Sequence, residues 1–322
     1  MSSKSKATKL KVALAQIAPI WLNKRATIDK ILDTIAQAAK QDAELVVFGE
    51  SFLPGYPFWL ERTEGATFNS EIQKVIHAKY LNEAVCIEDG DLNPICALAK
   101  SCNIAVVLGI DEHPADRGGH SIYCSLVYID AGGIIQNVHR KLMPTYEERL
   151  SWSPGDGHGL RTFPLGPFTM GALNCWENWM PLPRAALYAQ GENLHIAIWP
   201  GNEQNTQDIT RFIAKEGRSF VISVSAILRP EDIPTDMPFR DQILARGEAW
   251  FANGGSCIAA PNGDWVIQPQ VESEGIFVAS LDREQVYMER QNFDPAGHYS
   301  RPDVTQLTVN RARQSTVVFD DD

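Results

Sequence analysis

The sequence has no run of about 18 apolar residues, the length a membrane-spanning helix needs, so no segment is expected to cross a bilayer. It has no CxxC pair. Its cysteines, at 86, 96, 102, 124, 175 and 257, stand far apart in a chain of 322 residues. That spacing suits free thiols in a reducing, cytoplasm-like compartment better than a disulfide framework or a zinc site. Positive charge is also short: 29 Lys and Arg face 40 Asp and Glu, a net charge of -11. This argues against nucleic acid and anionic membranes as partners. Linker-like stretches and clear repeats are missing, so residues 10–292 read as one domain. Residues 1–9 are polar and basic with no long apolar stretch behind them, which predicts a flexible start and not a signal peptide. Residues 293–322 read as a mostly extended tail.

What is there is an alternation of strand-like and helix-like segments. Residues 11–17, 44–48 and 104–110 read as strands, the second and third continuous enough in apolar character to be covered on both faces. Helical spacing is found over 28–40, 71–82 and 93–101. Residues 125–130 and 134–138 flank Gly132-Gly133 and predict a hairpin. A loop over 141–160, with Pro144, Pro154 and three glycines, is long enough to suggest function. Strands then follow at 168–174, 195–199, 220–225, 256–260, 265–267 and 276–279, with helices at 184–190, 209–217 and 283–290. Such alternation predicts an α/β layered fold, with sheet inside and helices outside.

In layered α/β folds, functional residues gather at strand ends and on the loops beyond them. Three stand out. Glu50 follows the 44–48 strand, Lys141 follows the second hairpin strand, and Cys175 ends the 168–174 strand before a turn and a helix. A carboxylate can take the proton of a thiol, and an ammonium can stabilise charge that develops on an attacked atom. Taken singly, Glu50 and Lys141 are more often solvated strand-end charges, and a lone cysteine usually just packs.

The residues around them resemble the nitrilase superfamily, the carbon–nitrogen hydrolases. The matching motifs are Val47-Phe48-Gly49-Glu50, His139-Arg140-Lys141-Leu142 and Asn174-Cys175-Trp176-Glu177-Asn178. They occur in the family's order and at similar spacing, and the resemblance runs from about Leu10 to Leu307. Cysteine followed by Trp-Glu is similar to the nitrilase branch, as are the segments 143–149 and 297–303. Gly49 departs from relatives that carry proline there, and a local backbone change without loss of chemistry is expected. The resemblance implies a four-layer α-β-β-α sandwich that associates through its outer helices into at least a dimer. The chain ends about twenty residues after Asp303, which puts filament formation in doubt.

The resemblance also implies a reaction. Glu50 would act as base, Cys175 as nucleophile and Lys141 as charge stabiliser, with Glu148 the second glutamate of the loop. The substrate would be a small organic nitrile, hydrolysed to acid and ammonia through a thioimidate and a thioester, with no metal or organic cofactor. Tyr56, Trp59, Trp176 and Trp199 are candidate substrate-binding residues, while Glu177 is expected to hold backbone or Arg groups near the cysteine. The alternatives are an amidase or carbamoyl hydrolase of the same superfamily, hydration of the nitrile to the amide, and an inactive scaffold.

Overall fold

The computed structural model of the chain describes residues 7–317. Its first half contains β1 (Lys9–Gln16), α1 (Lys24–Lys40), β2 (Leu45–Phe48), α2 (Trp59–Arg62), α3 (Glu71–Glu83), α4 (Asn93–Cys102), β3 (Ala105–Glu112), β4 (Tyr123–Ile129) and β5 (Ile135–Arg140). Its second half contains β6 (Phe163–Leu165), β7 (Phe168–Asn174), α5 (Pro181–Tyr188), β8 (Leu194–Trp199), α6 (Glu203–Gly217), β9 (Phe220–Ser225), β10 (Ile227–Leu228), α7 (Arg240–Leu244), β11 (Ala252–Ala259), β12 (Trp265–Val271), β13 (Gly275–Asp282) and α8 (Glu284–Arg290). The stretch expected to be a flexible start ends inside β1, at Lys9, and residues 1–6 lie outside the described residues. Residues 293–317 carry turns but no helix or strand, and 318–322 lie outside the described residues.

The strands form two sheets. One runs β13-β1-β2-β3-β4-β5, and the other runs β10-β11-β9-β8-β7-β6 with β12 also on β11. At the centre of the first, β1, β2 and β3 are parallel. At the centre of the second, β7, β8 and β9 are parallel. The period-two alternation of side chains sorts the core into layers. Leu45 and Val47 of β2 face the other sheet, where Ile196, Ile198, Ile222 and Val224 meet them. Val46 and Phe48 face outward onto Ile31, Ile35 and Ala38 of α1 and Ile95 and Ala99 of α4. On the far side, Ala197, Trp199 and Val221 pack on Ile209, Ile213 and Ala214 of α6. The result is the expected four-layer α-β-β-α sandwich.

Several elements run past their expected ends for identifiable reasons. α6 starts at Glu203 and not at Ile209, because Asn202 caps it by accepting a hydrogen bond from the Gln204 N–H at 3.0 Å. Its polar first turn hides this start from a reading based on apolar periodicity. β3 and β5 end in charged residues that are buried. Glu112 accepts from Arg140 Nη2 at 2.7 Å and from Arg140 Nε at 2.9 Å, so each charge makes the other tolerable inside.

Candidate active site

Glu50, Lys141 and Cys175 leave three different strands at one end of the sandwich. Cys175 follows β7 directly and opens a turn of 3₁₀ helix, with φ at +44°. Few non-glycine residues adopt that backbone region. Lys141 follows β5 and is anchored by its N–H, which donates to the Cys124 carbonyl at 2.8 Å. Glu50 follows β2, and its N–H crosses to the other sheet and donates to the Trp199 carbonyl at 3.0 Å. A Cβ on Gly49 would lie 2.8 Å from the Ala226 nitrogen and 2.9 Å from the Trp199 oxygen, so only glycine lets the sheets approach here.

The side chains converge. Lys141 Nζ lies 2.9 Å from Glu50 Oε1 and 2.7 Å from Glu148 Oε2. One acceptor or thiol atom from each of Glu50, Glu148 and Cys175 falls within 4.8 Å of the others. Those three donors could in principle hold a cation, but the Lys141 ammonium already sits against both carboxylates. Glu148 is fully engaged: Oε1 accepts from the Tyr56 hydroxyl at 2.8 Å, and Oε2 accepts from Lys141 and from the Thr145 N–H at 2.5 Å. Among the described residues, no donor reaches either oxygen of Glu50 with hydrogen-bond geometry. It therefore keeps a lone pair for a proton.

Burial sets the ionisation of the group. It pushes the Glu50 carboxyl up to about 7, with Lys141 opposing and Glu148 adding to the rise. Burial, then the Glu50 charge, hold the Cys175 thiol well above the ordinary cysteine value, against Lys141 and the Trp176 N–H at the sulfur. For Lys141, burial alone would favour the neutral amine, but Cys175, Glu50 and Glu148 reverse this and keep it charged. The resting site thus holds an ammonium, a thiol and a carboxylate that titrates near neutrality. This is the arrangement that general-base activation of a thiol requires.

Glu177 ties the site together from behind. Its carboxylate accepts from the Leu142 N–H at 2.6 Å and the Asn174 N–H at 2.9 Å, and His139 Nε2 lies 3.0 Å away. It holds backbone as expected, but its side-chain partner is His139 and not an arginine. His139 and Leu142, which flank Arg140-Lys141 at the end of one sheet, are thereby joined to Asn174, which precedes Cys175 at the end of the other.

The four aromatic candidates divide. Tyr56 lies in the site on Glu148, and burial and that carboxylate keep its phenol protonated. Trp59 instead packs in the core, edge-on to Tyr80 with ring centres 4.7 Å apart and beside Trp21, because α2 turns its indole inward. Trp199 is also core: its indole N–H donates to the Ser223 hydroxyl at 3.3 Å, and only its carbonyl serves Glu50. Trp176 presents an indole that is 50% exposed, beside Trp179. What it turns to the site is its backbone N–H. Thr145 and Trp152 were not among the candidates. The Thr145-x-x-Glu148 spacing of a capping box was the readable sign of the first. Trp152, whose ring centre lies 5.3 Å from Lys141 Nζ, gave no sign within its loop.

The carbon-nitrogen hydrolase family profile matches residues 11–291. An aliphatic nitrilase of Sinorhizobium fredii (strain HH103) is 35% identical over 317 residues, covering 97% of this chain and 99% of its own. A nitrilase of Pseudomonas syringae pv. syringae (strain B728a) is 36% identical over 318 residues, covering 94% and 90%. Among solved structures, Saccharomyces cerevisiae Nit3, a member of branch 10 of the nitrilase superfamily, superposes with a TM-score of 0.67 at 21% identity, over 93% of this chain and 99% of its own.

Proposed function

Because the chain belongs to the carbon–nitrogen hydrolase family, we propose that it is a nitrilase, converting an organic nitrile and two waters to a carboxylic acid and ammonia. The observation that carries this reading is the closed group of Glu50, Lys141, Glu148 and Cys175 in a chain whose full-length relatives include curated nitrilases.

Glu50 takes the Cys175 proton as the sulfur attacks the nitrile carbon. A C–S bond forms, one C–N π bond breaks, and the proton passes to the nitrogen to give a thioimidate. Lys141 and the Trp176 N–H stabilise the negative charge at the attacked group. Water then adds to the thioimidate carbon, losing a proton to Glu50. Glu50 returns that proton to the nitrogen, the hydroxyl of the tetrahedral adduct gives up the second as the C–N bond breaks, and ammonia leaves a thioester behind. A second water, deprotonated by Glu50, releases the acid and restores the thiol. Glu148, held on three sides, positions Lys141 and the incoming water. Tyr56, the aromatic that meets Glu148, is the substrate-binding residue we retain.

Ammonia release from a panel of aliphatic, arylaliphatic and aromatic nitriles tests this, with acid and amide quantified separately. Acid with equimolar ammonia supports it. Amide as the only product would indicate hydration, and turnover of amides without nitriles would indicate an amidase. A second copy of the chain is the partner we propose, because Trp176, Trp179, Leu182 and Phe212 are large, apolar and exposed near one another in sequence or on α5 and α6. A sedimentation mass of one chain at micromolar concentration would contradict that. All six cysteines are free, which suits the reducing cytoplasm as its compartment.

A further inference from the structure

Behind the nucleophile lies a line of buried polar side chains that the reaction above does not use. Asn178, His195 and Glu192 are all fully shielded from solvent. Burying three such groups is costly unless each finds a partner, and here they partner one another. Asn178 Nδ2 donates to the Cys175 carbonyl at 2.8 Å. That contact orients the amide, so Asn178 Oδ1 faces His195 Nε2, 2.8 Å away, and that nitrogen carries the hydrogen. The other ring nitrogen, Nδ1, lies 2.9 Å from Glu192 Oε1. Room for this carboxylate is made by Gly171, the register partner of His195 on β7, where a Cβ would lie 2.1 Å from Glu192 Oε1. Arg184 Nη1 fixes Asn178 from the other side by donating to its carbonyl at 2.7 Å.

The line ends on a peptide that matters. The Cys175 carbonyl and the Trp176 N–H belong to one rigid planar unit, so fixing the first fixes the second. Rotation of this peptide about the Cys175 Cα–C and Trp176 N–Cα bonds would leave the Cys175 φ of +44° as it is but would turn the N–H away from the sulfur. We infer that His195, backed by Glu192, is a positioning residue that acts through Asn178 to hold the Trp176 N–H on the charge formed during attack by Cys175. The inference rests on the reading above, in which that N–H stabilises the attacked group. A histidine that merely fills the core would leave that N–H's function untouched once the protein folds.

Two reactions of the same thiol separate these roles. Alkylation of Cys175 by iodoacetamide needs a thiolate but builds no charge on an attacked carbonyl or nitrile. Hydrolysis needs both. For His195→Leu, we expect kcat on a nitrile to fall on the order of 10²–10³, as for loss of one charge-stabilising donor. KM should change by less than about threefold, and alkylation of Cys175 should slow as well, because the same N–H supports the thiolate, but by far less than turnover. His195→Gln, whose side-chain N–H can still reach Asn178, should recover most of the loss. Unchanged turnover, a parallel fall in alkylation and turnover, or Gln faring no better than Leu would each overturn the inference. If His195→Leu does not fold, Asn178→Asp takes its place. It keeps the size and cannot donate to the Cys175 carbonyl, and turnover should again fall far more than alkylation. If the wild type hydrolyses no nitrile, the functional reading fails on its own. The variants are then scored by protection of Cys175 from alkylation by propanal. There the thiol adds to the carbonyl carbon, its proton passes to oxygen, and the adduct needs the same N–H. Protection of the wild type that is lost in the variant supports the inference, and equal protection or none in the wild type overturns it.

Discussion

The Glu50 N–H donates to the Trp199 carbonyl at 3.0 Å, joining the end of β2 in one sheet to the end of β8 in the other. Glu50 is therefore placed by a contact between sheets and not by its own loop. Gly49 makes the approach possible, since a Cβ there would press on the Ala226 nitrogen and the Trp199 oxygen, both backbone atoms that cannot swing aside. Gly49→Ala is expected to cost about 1–3 kcal/mol of stability, as overpacking does. It should also reduce turnover beyond what the lost stability explains, because Glu50 moves with the strand end. Urea denaturation and kcat at a temperature where both proteins are folded would check this; a neutral result in both would remove the contact as the device that places Glu50.

Glu177 makes a second tie between the sheets, through the Leu142 and Asn174 N–H groups and His139. The His139 charge and these hydrogen bonds overcome burial and keep its carboxyl below the usual glutamate value. Glu177→Gln preserves shape but turns an NH₂ towards groups that already donate. A buried donor left unsatisfied costs about 1–3 kcal/mol. The urea midpoint should fall accordingly, and turnover should fall with it because Lys141 and Cys175 lose their common anchor. Activity retained at full level would mean that the anchor is redundant.

The pH dependence follows from the Glu50 carboxyl, which burial raises to about 7. As a base it works only when deprotonated, so kcat/KM should rise with pH below about 7, approaching tenfold per unit, and level off above it. The Glu148 charge contributes to the rise. Glu148→Gln should therefore move this limb to lower pH as well as slowing the reaction. A limb that stays in place would show that another group controls it.

How far the site could be read in the sequence depended on the kind of contact involved. Glu50, Lys141 and Cys175 could be picked out because each follows a strand, and a layered fold turns strand ends to one side. The sandwich itself followed from the family resemblance, since apolar runs such as 45–48 show burial on both faces but not which sheet covers them. The line from Glu192 through His195 to Asn178 was not legible. Its members come from the loop between α5 and β8, a strand and a turn, and only the parallel register of β7 and β8 sets Gly171 opposite His195. Trp59, which opens α2, and Trp199, which ends β8, misled for the related reason that an aromatic beside a site can turn inward or outward, and packing on Tyr80 and Ser223 decides it.

The last prediction separates the two glutamates. Glu148 has both oxygens occupied, by Tyr56, Lys141 and the Thr145 N–H, whereas Glu50 has Lys141 2.9 Å from one oxygen and, among the described residues, no donor well aligned on either. A proton leaving Cys175 can therefore be accepted at Glu50 without breaking a bond, and at Glu148 only by breaking one. The resting thiol is protonated, because burial and the Glu50 charge hold it so, and attack requires that transfer. Cys175→Ala should give no turnover and no covalent mass after mixing with a nitrile, since nothing else in the site can form the bond. Glu50→Gln should give little adduct, because the transfer has no acceptor. Glu148→Gln should still form the adduct but consume it slowly, on the order of 10²–10³ below wild type, as expected when a positioning or charge-stabilising contact is lost. Intact-protein mass spectrometry over a time course would then show an imidate or acyl mass accumulating on Glu148→Gln and not on Glu50→Gln. Equal adduct on both glutamate variants would refute Glu50 as the base for Cys175, even for an enzyme that hydrolyses nitriles.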